Sequence, residues 1–245
     1  MKNVTILEGY GLRSLHFSTT AVQGLMRIES PDEIVLEYVQ QMMMWMLFRE
    51  QVPHIVQLGL GSAALTKFCY RHFPNSEVTA VELDPDVIRV CREHFALTDN
   101  DDRLTVLNMD ALDYVGNFSR RRTIDVLQVD IYDAQANGPA LSSAAFYAAC
   151  GACLKPDGIM TVNLYCDSAL RLENIQAMQK SFEAVAWLPE VHDGNVVAIA
   201  FKRAPSVDFE ALYRRADQIA ADTGMPASSW VDGLQSWMQG DLDIP

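Results

Sequence analysis

Between residues 10 and 50 the apolar positions first alternate with polar ones and then shift to helical spacing. Two short β-like runs, 12–17 and 22–28, flank Ser18, Thr19 and Thr20 and read as a hairpin. Ser30, Pro31, Asp32 and Glu33 have the form of a helix start, with a hydroxyl cap, proline at the first position and acids in the first turn. The predicted helix runs to about residue 50. Leu36, Val39, Met43, Met46 and Leu47 recur along it at helical spacing and are expected to face a sheet as core.

From Pro53 onward the pattern becomes strand, turn, helix, repeated. Apolar runs at 54–61, 77–84, 103–110, 123–130 and 158–165 alternate with helical segments that include 63–73, 84–95 and 141–154. Such alternation implies parallel strands joined by helical crossovers that cover both sheet faces. After residue 170 a helix is expected to about residue 182. Strands at 184–188 and 196–202 then flank a turn at 192–195 and place an antiparallel strand at one edge. Beyond Pro205 an amphipathic acidic segment carries Trp230 and Trp237. The expected fold class is α/β: a mostly parallel seven-stranded sheet with helices on both faces, preceded by a short N-terminal β-hairpin. Three units are expected, a hairpin and helix extension (1–50), a ligand-binding α/β domain (51–204) and a helical tail (205–245).

Composition narrows the partners. With 19 Lys and Arg against 32 Asp and Glu, the 245-residue chain has a net charge of −13. An acidic surface disfavours nucleic acid and anionic membranes and favours small cations. Residues 1–11 lack a signal pattern, and no stretch approaches the roughly 18 apolar residues of a membrane span, so a cytoplasmic location is expected. Five cysteines in apolar segments suit reduced core thiols.

The chemistry is expected at the carboxyl ends of the strands, where open α/β sheets bind ligands. Gly59, Gly61 and Ala64 fit G-x-G-x-x-A directly after the first parallel strand, where small residues admit a nucleotide or amino-acid moiety. Glu82 ends the next strand 21 residues past Gly61, in the place of an acid that holds ribose hydroxyls. Asp110 and Asp130 end the following two. Acids at three consecutive strand ends suit an adenosyl sulfonium without phosphate, either S-adenosylmethionine or its decarboxylated form, better than a dinucleotide.

The strings GLGSAALTK, VTAVELDPDVI, DDRLTVLNMDALDYV, DVLQVDIYDAQANGPALSSAAFY and LKPDGIMTVNL together resemble the spermidine synthase family of polyamine aminopropyltransferases. That family shares the Rossmann-like class I methyltransferase fold, and the resemblance covers about residues 10–203. It implies Asp130 as the catalytic carboxylate and general base, with Asp133 as a second acid near the amine acceptor. It further implies Glu82 at the ribose, Asp110 with Ala111 at the adenine, Gly59, Gly61 and Ser62 in the co-substrate loop, and Gln23 reaching the co-substrate from the hairpin. The implied reaction moves an aminopropyl group from decarboxylated S-adenosylmethionine to an amine such as putrescine, without a metal. A carboxylate is needed because an ammonium has no lone pair until it loses a proton.

The chain departs from the family pattern in its glycine loop, in its acceptor motif and in its N-terminal part. Only about fifty residues precede the first strand of the main sheet, too few for the family's full N-terminal β domain. Gly59 to Ala64 replaces G-G-G-D-G-G, so Ser62 stands where an acid holds the donor's amine, and Pro189 to Gly194 lacks the tyrosine of P-T-Y-P-x-G. Methyl transfer from S-adenosylmethionine, or nucleoside binding without turnover, are therefore the alternatives. The remaining features have bland readings. Cys150 and Cys153 form a CxxC on a predicted helix without ligand-spaced histidines, Arg120, Arg121 and Arg122 read as an exposed loop, and His192 reads as a solvated turn residue. Apolar surface on the Met-rich helix, the hairpin and the tryptophan-bearing tail leads to the expectation of a homodimer.

Overall fold

The computed structural model describes residues 4–17, 22–132, 143–165, 168–191 and 194–240. Strands β1 (Val4–Gly9), β2 (Leu12–Phe17) and β3 (Val22–Arg27) form an antiparallel sheet in the order β1-β2-β3. The expected hairpin is β2 and β3; β1 adds a third strand on the outer edge of β2.

The main sheet contains β4 (His54–Leu58), β5 (Glu77–Glu82), β6 (Leu104–Asn108), β7 (Ile124–Val129), β8 (Leu154–Tyr165), β9 (Ala184–Trp187) and β10 (Asn195–Phe201). Their order is β6-β5-β4-β7-β8-β10-β9, with the first five parallel and β10 antiparallel to both β8 and β9. The order reverses beside β4, and this switch point opens a crevice at the carboxyl ends of β4 and β7. The crossover helices are α2 (Ala64–His72), α3 (Pro85–His94), α4 (Ala111–Gly116), α5 (Ala144–Cys153) and α6 (Ser168–Gln179). Asp84 caps α3, accepting from the Asp86 N–H at 3.0 Å, and proline at the first position pre-sets its backbone angle.

The single helix expected from Ser30 to about residue 50 is corrected. Its helical part is α1 (Glu37–Gln41), followed by a 3₁₀ turn, Met44–Leu47. Glu33 is instead drawn into an ion pair with Arg27 of β3 at 2.7 Å, and its N–H closes a turn on the Ser30 carbonyl. After α1, the Met42 carbonyl takes hydrogen bonds from Gln128 Nε2 at 3.1 Å and Thr161 Oγ1 at 3.0 Å. Gln128 Oε1 in turn accepts from Gln57 Nε2, and Gln57 Oε1 accepts from Thr66. This chain of buried polar side chains ties the segment to the central strands, and leaving any member unpaired would cost about 1–3 kcal/mol.

Met42, Met43, Met44 and Trp45 are fully buried. Two further helices, α7 (Phe209–Thr223) and α8 (Ala227–Gln239), pack against this segment, and Arg215 Nε reaches the Met46 carbonyl at 3.1 Å. Trp230 is buried, and Trp237 meets Trp187 edge to face at 5.5 Å. The Met-rich segment and the tail cover each other, so the expectation that they offer apolar surface to a second copy is corrected. Exposed Leu7, Tyr10, Val22 and Ile28, all on or beside the N-terminal sheet, retain that character. Among the described residues, no helix is long and apolar enough to cross a membrane.

Candidate active site

The turn after β4 is shaped for close approach. Gly59 has φ +91°, and a Cβ there would stand 2.0 Å from the Asp130 carbonyl oxygen. Gly61 (φ +53°) and Ala63 (φ +60°) are also left-handed, which bends the chain back so that α2 begins under the loop. Strand β3 lies directly on this loop. A Cβ on Gly24 would fall 2.4 Å from Ser62 Cβ, so glycine is required where the two backbones touch.

Between β3, α1, the glycine loop and the end of β7 lies a pocket of about 380 Å³, counting its open mouth. Gln23, Gly59, Gly61, Ser62 and Asp130, all singled out in the sequence, line it together with Tyr38, Leu36 and Val39. Ser62 is buried, and its hydroxyl lies 3.5 Å from the Leu25 carbonyl of β3.

Asp130, half-buried, follows the last residue of β7 and accepts two side-chain hydrogen bonds. Asn163 Nδ2 of β8 donates to Oδ1 at 3.0 Å, and the Tyr38 hydroxyl lies 3.4 Å from Oδ2. Burial pushes the Asp130 carboxyl above the usual carboxylate range, and the two donors pull it partly back. Burial and the neighbouring Asp130 charge push the Tyr38 phenol well up, so it remains a neutral donor. Asn163 is buried, and its Oδ1 has no hydrogen-bond partner among the described residues.

Glu82, Asp110 and Ala111 stand outside the wall of this pocket, along the adjoining strand ends. Glu82 braces the loop: Oε2 accepts from the Leu60 N–H at 3.1 Å and Oε1 from the Asp84 N–H at 2.9 Å. Asp110 caps α4, accepting from the Leu112 N–H at 2.7 Å, and Ala111 is the first residue of that helix. Leu83, Met109 and Leu112 beside them are exposed. Asp133, the 138–140 loop, His192 and Cys166 lie outside the described residues. Cys150 and Cys153 are buried in α5 as free thiols.

Residues 32–210 match the family model for the spermine/spermidine synthase domain. The chain belongs to the spermine/spermidine synthase family. It is 32% identical over 241 residues to a polyamine aminopropyltransferase of Chromobacterium violaceum, covering 98% of this chain and 92% of that protein. In fold it is similar to a probable spermidine synthase from Corynebacterium glutamicum, with a TM-score of 0.74 at 19% identity over 94% of this chain and 91% of the other. It is also similar to human methyltransferase-like protein 13 in complex with SAH, with a TM-score of 0.68 at 22% identity, covering 82% of this chain and 93% of that one. Within this family frame, the sequence reading missed Asn163. Its signal was a lone amide in the apolar run IMTVNL, at the end of the strand that flanks Asp130.

Proposed function

We propose that this synthase-family chain transfers the aminopropyl group of decarboxylated S-adenosylmethionine to a short polyamine such as putrescine, with Asp130 as general base. The observation that carries the reading is the half-buried Asp130 carboxylate in the pocket wall, held by Tyr38 and Asn163 beside the glycine loop.

In this reading the glycine loop lets the co-substrate's sulfonium end lie against backbone, because Gly59 and Gly61 offer no side chain there. Glu82, which braces the loop at the end of β5, is assigned to the ribose hydroxyls. Asp110 and Ala111 border the adenine, whose faces are apolar like exposed Leu83, Met109 and Leu112. Gln23 closes the pocket from β3.

The acceptor's attacking nitrogen donates one N–H to Asp130 and another to the orphan Oδ1 of Asn163, which satisfies a buried acceptor that otherwise costs about 1–3 kcal/mol. As the proton passes to Asp130, the nitrogen lone pair forms the new N–C bond. The C–S bond breaks with its electron pair going to sulfur, which leaves as the neutral thioether methylthioadenosine. The raised affinity of Asp130 for a proton suits it to this role, because base strength near the working pH favours transfer. Asp133 is assigned to the acceptor side.

We further assign pocket closure to residues 1–50, co-substrate binding to 51–204 and bracing of the Met-rich segment to 205–245. A cytoplasmic homodimer paired through the N-terminal sheet completes the reading, and light scattering tests the dimer. One feature favours a second reading. Ser62 carries no charge for a donor ammonium, which leaves methyl transfer from S-adenosylmethionine as the competitor. Calorimetric titration with methylthioadenosine and S-adenosylhomocysteine separates them: preference for the former, with spermidine formed from putrescine and decarboxylated donor, supports aminopropyl transfer. Preference for the latter with no spermidine formed overturns it.

A further inference from the structure

Helix α1 is joined to β7 and β8 by two rungs of hydrogen bonds. In the first, the Met42 carbonyl accepts from Gln128 Nε2 of β7 and Thr161 Oγ1 of β8, two residues paired across the strands. In the second, the Tyr38 hydroxyl meets Oδ2 of Asp130 while Asn163 holds Oδ1. Tyr38 and Met42 are four residues apart, about 6 Å along a helix and on one side of it. Gln128 and Asp130 are two residues apart, about 6.6 Å along a strand and on one face. The spacings match, so one helical turn spans both rungs.

We propose that Gln128 and Thr161 are positioning residues that hold Tyr38 in hydrogen-bonding register with Asp130. Their part in catalysis rests on the aminopropyl-transfer reading, in which Asp130 is the base. Helix α1 has five residues, too few to keep its own conformation, and Met42 is its C-cap, where carbonyls lack donors from the helix. The bonds from the sheet therefore decide where α1 sits. The Met42 N–H closes on the Tyr38 carbonyl at 2.9 Å, which makes the two backbones move together. Gln128 is oriented in its turn: its Oε1 accepts from Gln57 Nε2, and Gln57 Oε1 accepts from Thr66 in the first turn of α2, so Nε2 is left to face Met42. All four side chains, Gln57, Thr66, Gln128 and Thr161, are buried, and neither Gln128 nor Thr161 lines the pocket. The Tyr38 contact, at 3.4 Å, is longer than the usual O–H···O range of about 2.5–3.0 Å, so a slight lift of the helix breaks it. Among the described residues Tyr38 is the titratable group that bears on Asp130, and Asp130 and Tyr132 are those that bear on Tyr38.

The test is a carbon-13 NMR titration of the Asp130 carboxyl in the full chain, its signal identified by its loss in Asp130→Asn. Wild type, Gln128→Met, Thr161→Val and Thr161→Ser are compared, each alone and combined with Tyr38→Phe. Gln128→Met and Thr161→Val remove a donor to Met42 at nearly constant volume and are expected to raise the Asp130 midpoint, because the charged carboxylate loses the Tyr38 bond. Thr161→Ser keeps the hydroxyl and is expected to titrate as wild type. Combined with Tyr38→Phe, none of the three is expected to move the midpoint further. Below the midpoint, kcat/KM is expected to fall about 2- to 10-fold in Gln128→Met, the worth of one hydrogen bond, with methylthioadenosine affinity unchanged as the report on folding. If Gln128→Met does not fold, Thr161→Val carries the same comparison with the glutamine pair intact. A wild-type midpoint in the folded variants, or a shift that persists in full beside Tyr38→Phe, would overturn the proposal. The expected midpoints with no spermidine formed by wild type would instead sink the transferase reading and leave the positioning role standing.

Discussion

The Tyr38 hydroxyl, from the first helix, lies 3.4 Å from Oδ2 of Asp130 at the end of β7. Its donation favours the charged carboxylate, opposing the burial that raises the Asp130 pKa. Tyr38→Phe removes that support, so the Asp130 pKa moves further up. The acid limb of the kcat/KM profile is expected to shift to higher pH, with methylthioadenosine affinity unchanged. A superimposable profile would remove Tyr38 from the proton-transfer site.

Asp130→Asn keeps the size of the side chain and discards its basicity. Turnover is expected to fall by about 10²–10⁴-fold, the usual range for a general base, while methylthioadenosine still binds. Stability should move the other way. With its folded pKa above the unfolded value, Asp130 holds its proton more tightly when folded, so wild type loses stability as pH rises from the ordinary carboxylate range through the folded pKa. The variant escapes that loss and is expected to melt higher at pH 7, with the difference vanishing in acid. Equal turnover by both proteins would make Asp130 a structural acid.

Glu82→Ala frees the Leu60 and Asp84 N–H groups and, in the proposed reading, deprives the ribose of an acceptor. Calorimetry is expected to show methylthioadenosine binding weakened by about 1–3 kcal/mol. An unchanged Kd in a folded variant would refute the assignment.

Lys67, buried in α2, donates to the Phe95 carbonyl at 2.8 Å, and burial lowers its pKa to about 8 from 10.5. Between those values the unfolded chain holds a proton that the folded chain has released, so wild-type stability rises with pH across this window. The slope is at most about 1.4 kcal/mol per pH unit. Lys67→Met is expected to be more stable at pH 7 and to lose that advantage by pH 10.5. Parallel urea curves for the two proteins across the range would disprove it.

Gly59→Ala places a methyl group 2.0 Å from the Asp130 carbonyl oxygen in a left-handed turn. A loss of about 3 kcal/mol is expected in urea unfolding, consistent with strained backbone plus a clash in a packed core. Stability within error of wild type would mean that the loop can move off β7.

The sheet, its helices and the position of the candidate site at the strand ends were legible in the chain because each rests on local repetition. Alternation of apolar runs with helical segments specifies parallel strands, and parallel strands open their ligand crevice at the carboxyl ends. Gly59, Gly61, Glu82, Asp110 and Asp130 could therefore be placed at strand ends before any contact was known. Tertiary structure decided what lies across from them. Helical spacing of Leu36, Val39 and Met43 predicted one long helix, yet Arg27 draws Glu33 aside and Gln128 and Thr161 take the Met42 carbonyl. Those bonds join residues up to 119 positions apart, a distance over which periodicity carries no information. The same holds for Asn163 and Tyr38 at Asp130, and for the tail that covers the Met-rich segment. Local pattern determines which face of an element is apolar, but only packing determines which partner that face meets.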